Sequence, residues 1–204
     1  TAYSFTHAPN EALALSGAKC VKYISCRDYV RLIKSPQLYS FALRHGCNIL
    51  FNALEMQKKC EEMFPGNEDK LFTAYNIIDC EKAREDAKEE LDEEYKKFYD
   101  THRVIAFSSR FVEQKCQWDM LKSFELLKKD IPDAGLIFLG CRGEYENAVR
   151  EMAKKSEYSN DIVFAGFQKN VFKFVSRADV FAMTSYYEGF PNVIVEALAV
   201  GTPA

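Results

Sequence analysis

Residues 103–140 read RVIAFSSRFVEQKCQWDMLKSFELLKKDIPDAGLIFLG. RVIAFSS (103–109) is a short apolar run rich in β-branched and aromatic side chains, which predicts a buried strand. Gln117–Lys129 carries apolar residues at helical spacing, and GLIFLG (135–140) is a second buried run. Strand, helix and strand at this spacing predict a βαβ unit with parallel strands. The alternation continues downstream. Glu144–Lys155 predicts a helix, DIVFAG (161–166) a strand, Val171–Ser176 a short helix and DVFAMT (179–184) another strand. A last helix runs from Pro191, with Gly201 just past its end. Upstream, VKYIS (21–25), NILFN (48–52) and KLFTAYN (70–76) predict strands. A helical stretch broken near Pro36 lies between the first two. Asn52 and Glu55 have the spacing of a capping box, which predicts a helix ending near Phe64-Pro65-Gly66. Repeated β-α units predict an α/β fold with doubly wound parallel sheets. Ligands of such sheets bind outside the carboxyl ends of the strands. The loops after Ser25, Phe107, Leu139, Ala165 and Met183 therefore hold the candidate site residues.

EKAREDAKEELDEEYKKFYD (81–100) places Ala83, Ala87, Leu91 and Tyr95 on one narrow stripe among nine acidic and five basic residues. This predicts a single solvated helix, with Asp92–Lys96 and Glu93–Lys97 as supporting pairs. A domain boundary is expected at its end, near His102, dividing the chain into 1–100 and 101–204.

The composition is that of a folded protein, 48% hydrophobic and 28% charged over 204 residues. A formal net charge of −3 without a basic stripe argues against nucleic acid as a partner. No apolar run has the length of a membrane span, and no signal peptide opens the chain; peripheral membrane association stays open. The seven cysteines are scattered without a Cys-x-x-Cys, which reads as reduced, buried small hydrophobes in a cytoplasmic setting. His7 reads as a lone structural histidine in a loop, His45 and His102 have no partners at ligand spacing, and no two aspartates stand two positions apart, so neither a metal site nor a cofactor is expected. The chain opens on Thr1 and closes on Gly-Thr-Pro-Ala204, and reads as a piece of a longer protein.

The stretch Glu188-Gly-Phe-Pro-Asn-Val-Ile-Val-Glu196 concentrates the chemistry. Glu188 sits in the loop after a strand, and Glu196 sits about a turn and a half into the next helix. Helix side chains lean toward the amino end, so Glu196 can point back at what that end binds. The amino end offers free N–H groups and a positive dipole to an anion, and Gly189 lets a ligand approach the backbone. Two carboxylates around an anion site suit a nucleotide sugar, a diphosphate between two polyols. A buried Glu196 paired with a distant Arg or Lys accounts for the spacing equally well. Arg27 follows the strand end Ile24-Ser25-Cys26, where a cation can meet phosphate or acceptor in a cleft between domains; pairing with Asp28 is the plainer alternative.

EGFPNVIVEA followed by Gly-Thr-Pro resembles the Glu-x7-Glu signature of retaining glycosyltransferases of family four, which have the two-domain GT-B fold. SRADVFAMTSYYEG, Arg110-Phe-Val-Glu-Gln-Lys115, LIFLGCRGE and FTAYNIID (72–79) resemble further elements of that family in the same order. YSFTHAPNEALALSGAKCVKYISCRDY resembles the amino-terminal stretch of bacterial polysaccharide glycosyltransferases of the family. Ser109 stands where the family often has glycine and Cys116 where it often has glycine or a polar residue, and the loop Gly140-Cys-Arg-Gly143 is one residue longer than the usual Gly-x-Gly.

The resemblance implies that residues 1–100 are the later part of an acceptor-binding Rossmann-like domain and 101–204 the first part of a donor-binding one. It implies that Glu196 accepts hydrogen bonds from the donor ribose and that Glu188 contacts the donor sugar near the reacting centre. It places phosphate and sugar on the backbone of Gly189, Phe190, Pro191 and Asn192. Arg110 and Lys115 would neutralise the leaving diphosphate, and the Gly140 loop would help hold the nucleotide. The implied partners are a nucleotide-sugar donor, UDP-linked by preference, and a glycan or lipid-linked acceptor, handled without a metal at the inner face of the membrane. Competing readings are a catalytically inactive sugar-nucleotide-binding adapter, a sugar-nucleotide epimerase and a phosphorylase of the same fold.

Overall fold

The computed structural model describes residues 1–204 apart from the side chain of His7. The chain forms two compact units. The first comprises Thr1–Ile77 and Tyr187–Pro191, the second Ile78–Tyr186 and Asn192–Ala204.

The first unit runs β1 (Ala2–Ser4), α1 (His7–Leu15), β2 (Lys22–Cys26), α2 (Tyr29–Lys34), α3 (Gln37–Arg44), β3 (Cys47–Phe51), α4 (Leu54–Met63) and β4 (Leu71–Thr73). Its strands are parallel and lie in chain order, β1-β2-β3-β4. Right-handed crossovers that always step in one direction leave their helices on one face. Ile24, Cys26, Ile49, Phe51 and Leu71 point into that layer and form one core with Leu32, Tyr39, Leu43, Met56 and Cys60. The alternate residues carry an aromatic row on the other face. Tyr3 stacks on Tyr23 at 5.1 Å, and Tyr23 meets the edge of Phe72 at 5.9 Å.

The helix expected to open at Asn52 begins at Leu54 with Ala53 at its N-cap, and no side chain caps it. Asn52 lies one position too early and is buried, so the capping box does not form. The helical stretch around Pro36 does divide there, into α2 and α3. Four cysteines (26, 47, 60 and 116) are buried as expected. Cys20 and Cys80 are exposed and Cys141 is half-buried, because they stand in the turn before β2, at a helix start and in a loop.

The second unit runs α5 (Cys80–Asp86), α6 (Glu93–Thr101), β5 (Arg103–Ser108), α7 (Gln117–Leu127), β6 (Ala134–Leu139), α8 (Glu146–Lys155), β7 (Ile162–Gly166), α9 (Phe172–Val175), β8 (Val180–Phe181) and α10 (Asn192–Ala199). The strand order is β7-β6-β5-β8, again all parallel. Here the winding reverses after β7, so helices cover both faces. Phe107, Phe111, Phe124, Leu136 and Phe138 fill the core on one side, and Phe98, Val104, Ile137, Phe174 and Phe181 fill that on the other.

The single helix expected over 81–100 is two helices. Leu91 turns into the core at 6% exposure, and Asp92 restarts the helix from an extended conformation. The carbonyls freed at the break find side-chain donors: Asp86 O accepts from Asn170 (2.7 Å) and Ala87 O from Arg177 (3.1 Å). Among the expected pairs neither forms; Lys96 stands 3.9 Å from Glu93 instead. The boundary expected near His102 lies at Ile78, because both helices pack on the second unit. Tyr95 meets Phe174 edge-on at 5.1 Å, and the Tyr99 hydroxyl donates to Phe174 O. The strand expected over 179–184 keeps only Val180 and Phe181. Thr184 leaves the ladder because its hydroxyl donates to the carbonyls of Lys115 (3.1 Å) and Cys116 (2.9 Å).

Candidate functional site

In the second sheet the chain leaves β5 toward β6 on one side, while β8 returns on the other. Loops that depart in opposite directions from adjacent strands open a crevice at their carboxyl ends. The β5 and β8 loops flank it, and α10 leads away from the second of them. Tyr186 N–H donates to Gln114 O at 2.9 Å, adding to the two bonds from Thr184.

The loop after β5 carries Arg110 and Lys115. Gln117, fully buried at the start of α7, donates through Nε2 to Ser109 Oγ (2.9 Å) and Arg110 O (2.7 Å). This amide fixes the backbone from which Arg110 projects. The Arg110 side chain is exposed and has no protein partner. Cys116 adopts the left-handed conformation (φ 49°), which glycine occupies without strain and a side-chain-bearing residue holds at a cost of about 1–2 kcal/mol. Glycine, one of the two residue kinds the resemblance has at this position, thus has a conformational reason there.

The loop after β6 lies on the loop after β5. Phe111 N–H donates to Arg142 O at 3.0 Å. A Cβ on Gly140 would overlap the Ser109 carbonyl, and one on Gly143 would overlap that of Phe111. Gly140 is therefore required for close backbone approach, whatever else it does.

Helix α10 buries Ala197 and Ala199 and ends as expected. Gly201 has φ 89°; its N–H bonds Leu198 O, and Thr202 N–H bonds Ala197 O, the paired closure of a Schellman motif. Arg84 Nε donates to Ala199 O at 3.0 Å. Glu196 is half-buried on this helix, and burial raises its carboxyl above the ordinary range. Among the described residues no Arg, Lys or hydrogen-bond donor pairs with it.

Tyr187–Pro191 belongs to the first unit. A Cβ on Gly189 would stand 3.0 Å from Asn52 Oδ1, 3.1 Å from Met56 Sδ and 3.3 Å from Arg27 O. Phe190 lies 5.4 Å from the Tyr75 ring. Arg27 is exposed, and its Nη2 donates to Asn76 Oδ1 at 2.9 Å rather than to Asp28. Arg27, Glu188, Gly189, Phe190 and Pro191 thus fall in one unit, and Arg110, Lys115, Gly140, Asn192 and Glu196 in the other. Gln117, Thr184 and Asn52 were not anticipated. Their types are ordinary in loops and at helix starts, and only the tertiary contacts mark them.

Residues 88–204 match the family described as glycosyl transferases group 1. The chain belongs to that family. The match covers the second unit from the break after α5 onward. An uncharacterised glycosyltransferase of Methanocaldococcus jannaschii is 30% identical over 165 residues, 81% of this chain and 40% of its own length. The N-acetylgalactosamine-N,N'-diacetylbacillosaminyl-diphospho-undecaprenol 4-alpha-N-acetylgalactosaminyltransferase of Campylobacter jejuni is 27% identical over 142 residues, 70% of this chain and 33% of its own length. The group 1 chain thus spans well under half of either relative. Anabaena HepE, solved with UDP-glucose, superposes on 98% of this chain with a TM-score of 0.80 at 19% identity; the match covers 58% of HepE. The GT-B expectation is borne out at the level of fold. No helix among the described residues is long and apolar enough to cross a membrane.

Proposed function

We propose that the full-length protein is a retaining glycosyltransferase that moves a sugar from a nucleoside diphosphate, UDP by preference, to a glycan or lipid-linked acceptor without a metal. The observation that carries this reading is Glu196. A half-buried carboxylate without a protein partner is costly, and hydroxyl donors from a ligand relieve the cost. A ribose offers two such hydroxyls. Residues 101–204 take the donor side and residues 1–100 the acceptor side.

The roles rest on charge and on the resemblance. Arg110 grips the diphosphate with its planar fork, Lys115 adds a point charge, and Gly189, Phe190, Pro191 and Asn192 present backbone to phosphate and sugar. Glu188 contacts the sugar near its anomeric carbon. The bond from that carbon to the diphosphate oxygen breaks as the acceptor oxygen bonds on the same face. The acceptor proton passes to the leaving phosphate, whose charge the two cations hold. HepE was solved with UDP and with UDP-glucose, which supports UDP as the carrier. The Campylobacter relative, by its name, acts on a lipid-linked diphosphate, which supports a lipid-linked acceptor.

The test is calorimetric titration of full-length protein with UDP. Glu196→Ala should weaken binding by about 1.5–3 kcal/mol, the worth of hydrogen bonds to a charged group, and leave the fold intact. Unchanged affinity in a folded variant would remove Glu196 from the donor site. Tight UDP binding by the unaltered protein, with neither hydrolysis nor transfer, would favour the inactive adapter.

A further inference from the structure

The carboxyl edge of the first sheet holds two cavities that share Phe5, Ser25 and Arg27. The larger, about 270 Å³, is also lined by Asn52, Tyr75 and Asn76. The smaller, about 170 Å³, is lined further by Thr6, Asn10 and Arg31. Together they make one trough with Arg27 at its waist.

The two ends differ in chemistry. At the smaller end stand two guanidinium groups without carboxylate partners. Among the described residues Arg27 bonds only the neutral amide of Asn76, and the Arg31 side chain has no hydrogen-bond partner. Asp28 is the one acid lining either cavity, and its Oδ1 caps α2 by accepting the Arg31 N–H at 3.0 Å. The wall between the arginines is rigid. Asn10 is 2% exposed, donates to Ser25 O at 2.8 Å and accepts from Ser4 Oγ at 2.6 Å. At the larger end Asn52 is buried, with its side-chain carbonyl against the Gly189 backbone. Phe5 and Tyr75, both more than half exposed, flank that end with aromatic faces. Two guanidinium groups without carboxylate partners on the lining of one small cavity suit an oxyanion, which they can grip with charge-assisted bonds. Exposed aromatic faces beside a cavity suit a sugar ring.

We propose that this trough binds an acceptor in which a sugar ring carries a phosphate or carboxylate, the ring in the larger cavity and the anion between Arg27 and Arg31. The inference rests on the glycosyltransferase reading for the word acceptor. The anion preference of the trough stands without it.

The experiment titrates full-length protein, with and without saturating UDP, with N-acetylglucosamine 1-phosphate and with N-acetylglucosamine. The phosphorylated sugar should bind at least tenfold more tightly, and Arg31→Gln should abolish the difference while leaving UDP affinity unchanged. Equal binding of the two sugars, no binding of either, or a preference that survives both Arg31→Gln and Arg27→Gln would overturn the proposal. A protein that ignores UDP but keeps the anion preference would count against the donor site alone. A parallel titration with undecaprenyl diphosphate-linked N-acetylglucosamine in detergent micelles separates the sources. Tighter binding than the soluble phosphate assigns a lipid-linked acceptor, equal binding a soluble one, and either must depend on Arg31.

Discussion

The two sheets are assembled from the same β-α unit, yet their strand orders differ. The first keeps stepping in one direction, and the second turns back after its third strand. In the second, reversal creates a crevice between β5 and β8, and the loops beside it are tied to each other by named hydrogen bonds. In the first, no reversal occurs within the sheet, and its candidate site is a trough lined by polar and aromatic side chains along the strand ends. Topology positions one site, and side chains make the other. The glycines reflect this contrast. Gly143 has a positive φ and a carbonyl where its Cβ would be; Gly46, between α3 and β3, has a positive φ and open space. Alanine at Gly46 meets only backbone strain, about 1 kcal/mol. Alanine at Gly143 must also push the two loops apart, roughly 3 kcal/mol or more. Urea unfolding of the two variants measures both. Equal losses would show that the close approach of the β5 and β6 loops is not a structural requirement.

The next test asks whether the crevice does chemistry or only binds. Removing one positive group from a transition-state clamp typically costs about a hundredfold in turnover. Arg110→Ala and Lys115→Ala should each do so with little change in melting temperature, and excess EDTA should leave the unaltered enzyme active. Near-normal turnover in the double variant would remove both residues from the mechanism. Loss in EDTA that magnesium or manganese restores would replace the clamp with a metal.

Much of this contrast could be read from the sequence before any coordinates. The runs 103–109, 135–140 and 161–166 are apolar because both faces of their sheet are covered, so composition alone marked them. Glu196 is conspicuous because a carboxylate stands in an apolar helix, and the absence of a protein partner among the described residues is what favours the proposed donor role. The reversal of strand order leaves no local trace, since β8 differs from the other strands only in its pairing. The break at Leu91 was hidden for a similar reason. Its cause lies in Asn170, Lys173 and Arg177, some eighty residues downstream, which bond the turn. Gln117 looked like an ordinary helix start, and Asn52 fitted a capping box that burial prevents.

The smallest expected effect concerns the amino edges of the two sheets, where each unit buries a lysine differently. In the first, Lys22 is 8% exposed and its ammonium donates to a neutral carbonyl, Ser16 O, at 2.6 Å. In the second, the Lys128 ammonium donates to Ala134 O at 3.1 Å and pairs with Asp161 at 2.6 Å, and His102 Nε2 stands 3.1 Å from the other oxygen of that carboxylate. Burial pushes the Asp161 carboxyl up, but the bonds from Lys128 and His102 outweigh it and hold the group below its ordinary value. A carboxyl lowered by folding contributes stability that is present above its unfolded pKa, near 3.9, and lost as the pH falls through the folded value. No such carboxylate holds Lys22. Acid should therefore loosen the second unit selectively, by an amount on the order of 1 kcal/mol. Hydrogen exchange, corrected for the intrinsic pH dependence, should show protection of β6 and β7 falling below about pH 4 relative to β2 and β3. Asp161→Asn should be less stable at neutral pH and should lack that differential acid loss. If β6 and β7 of Asp161→Asn lose protection with acid as the unaltered protein does, the ion pair is not what distinguishes the two edges.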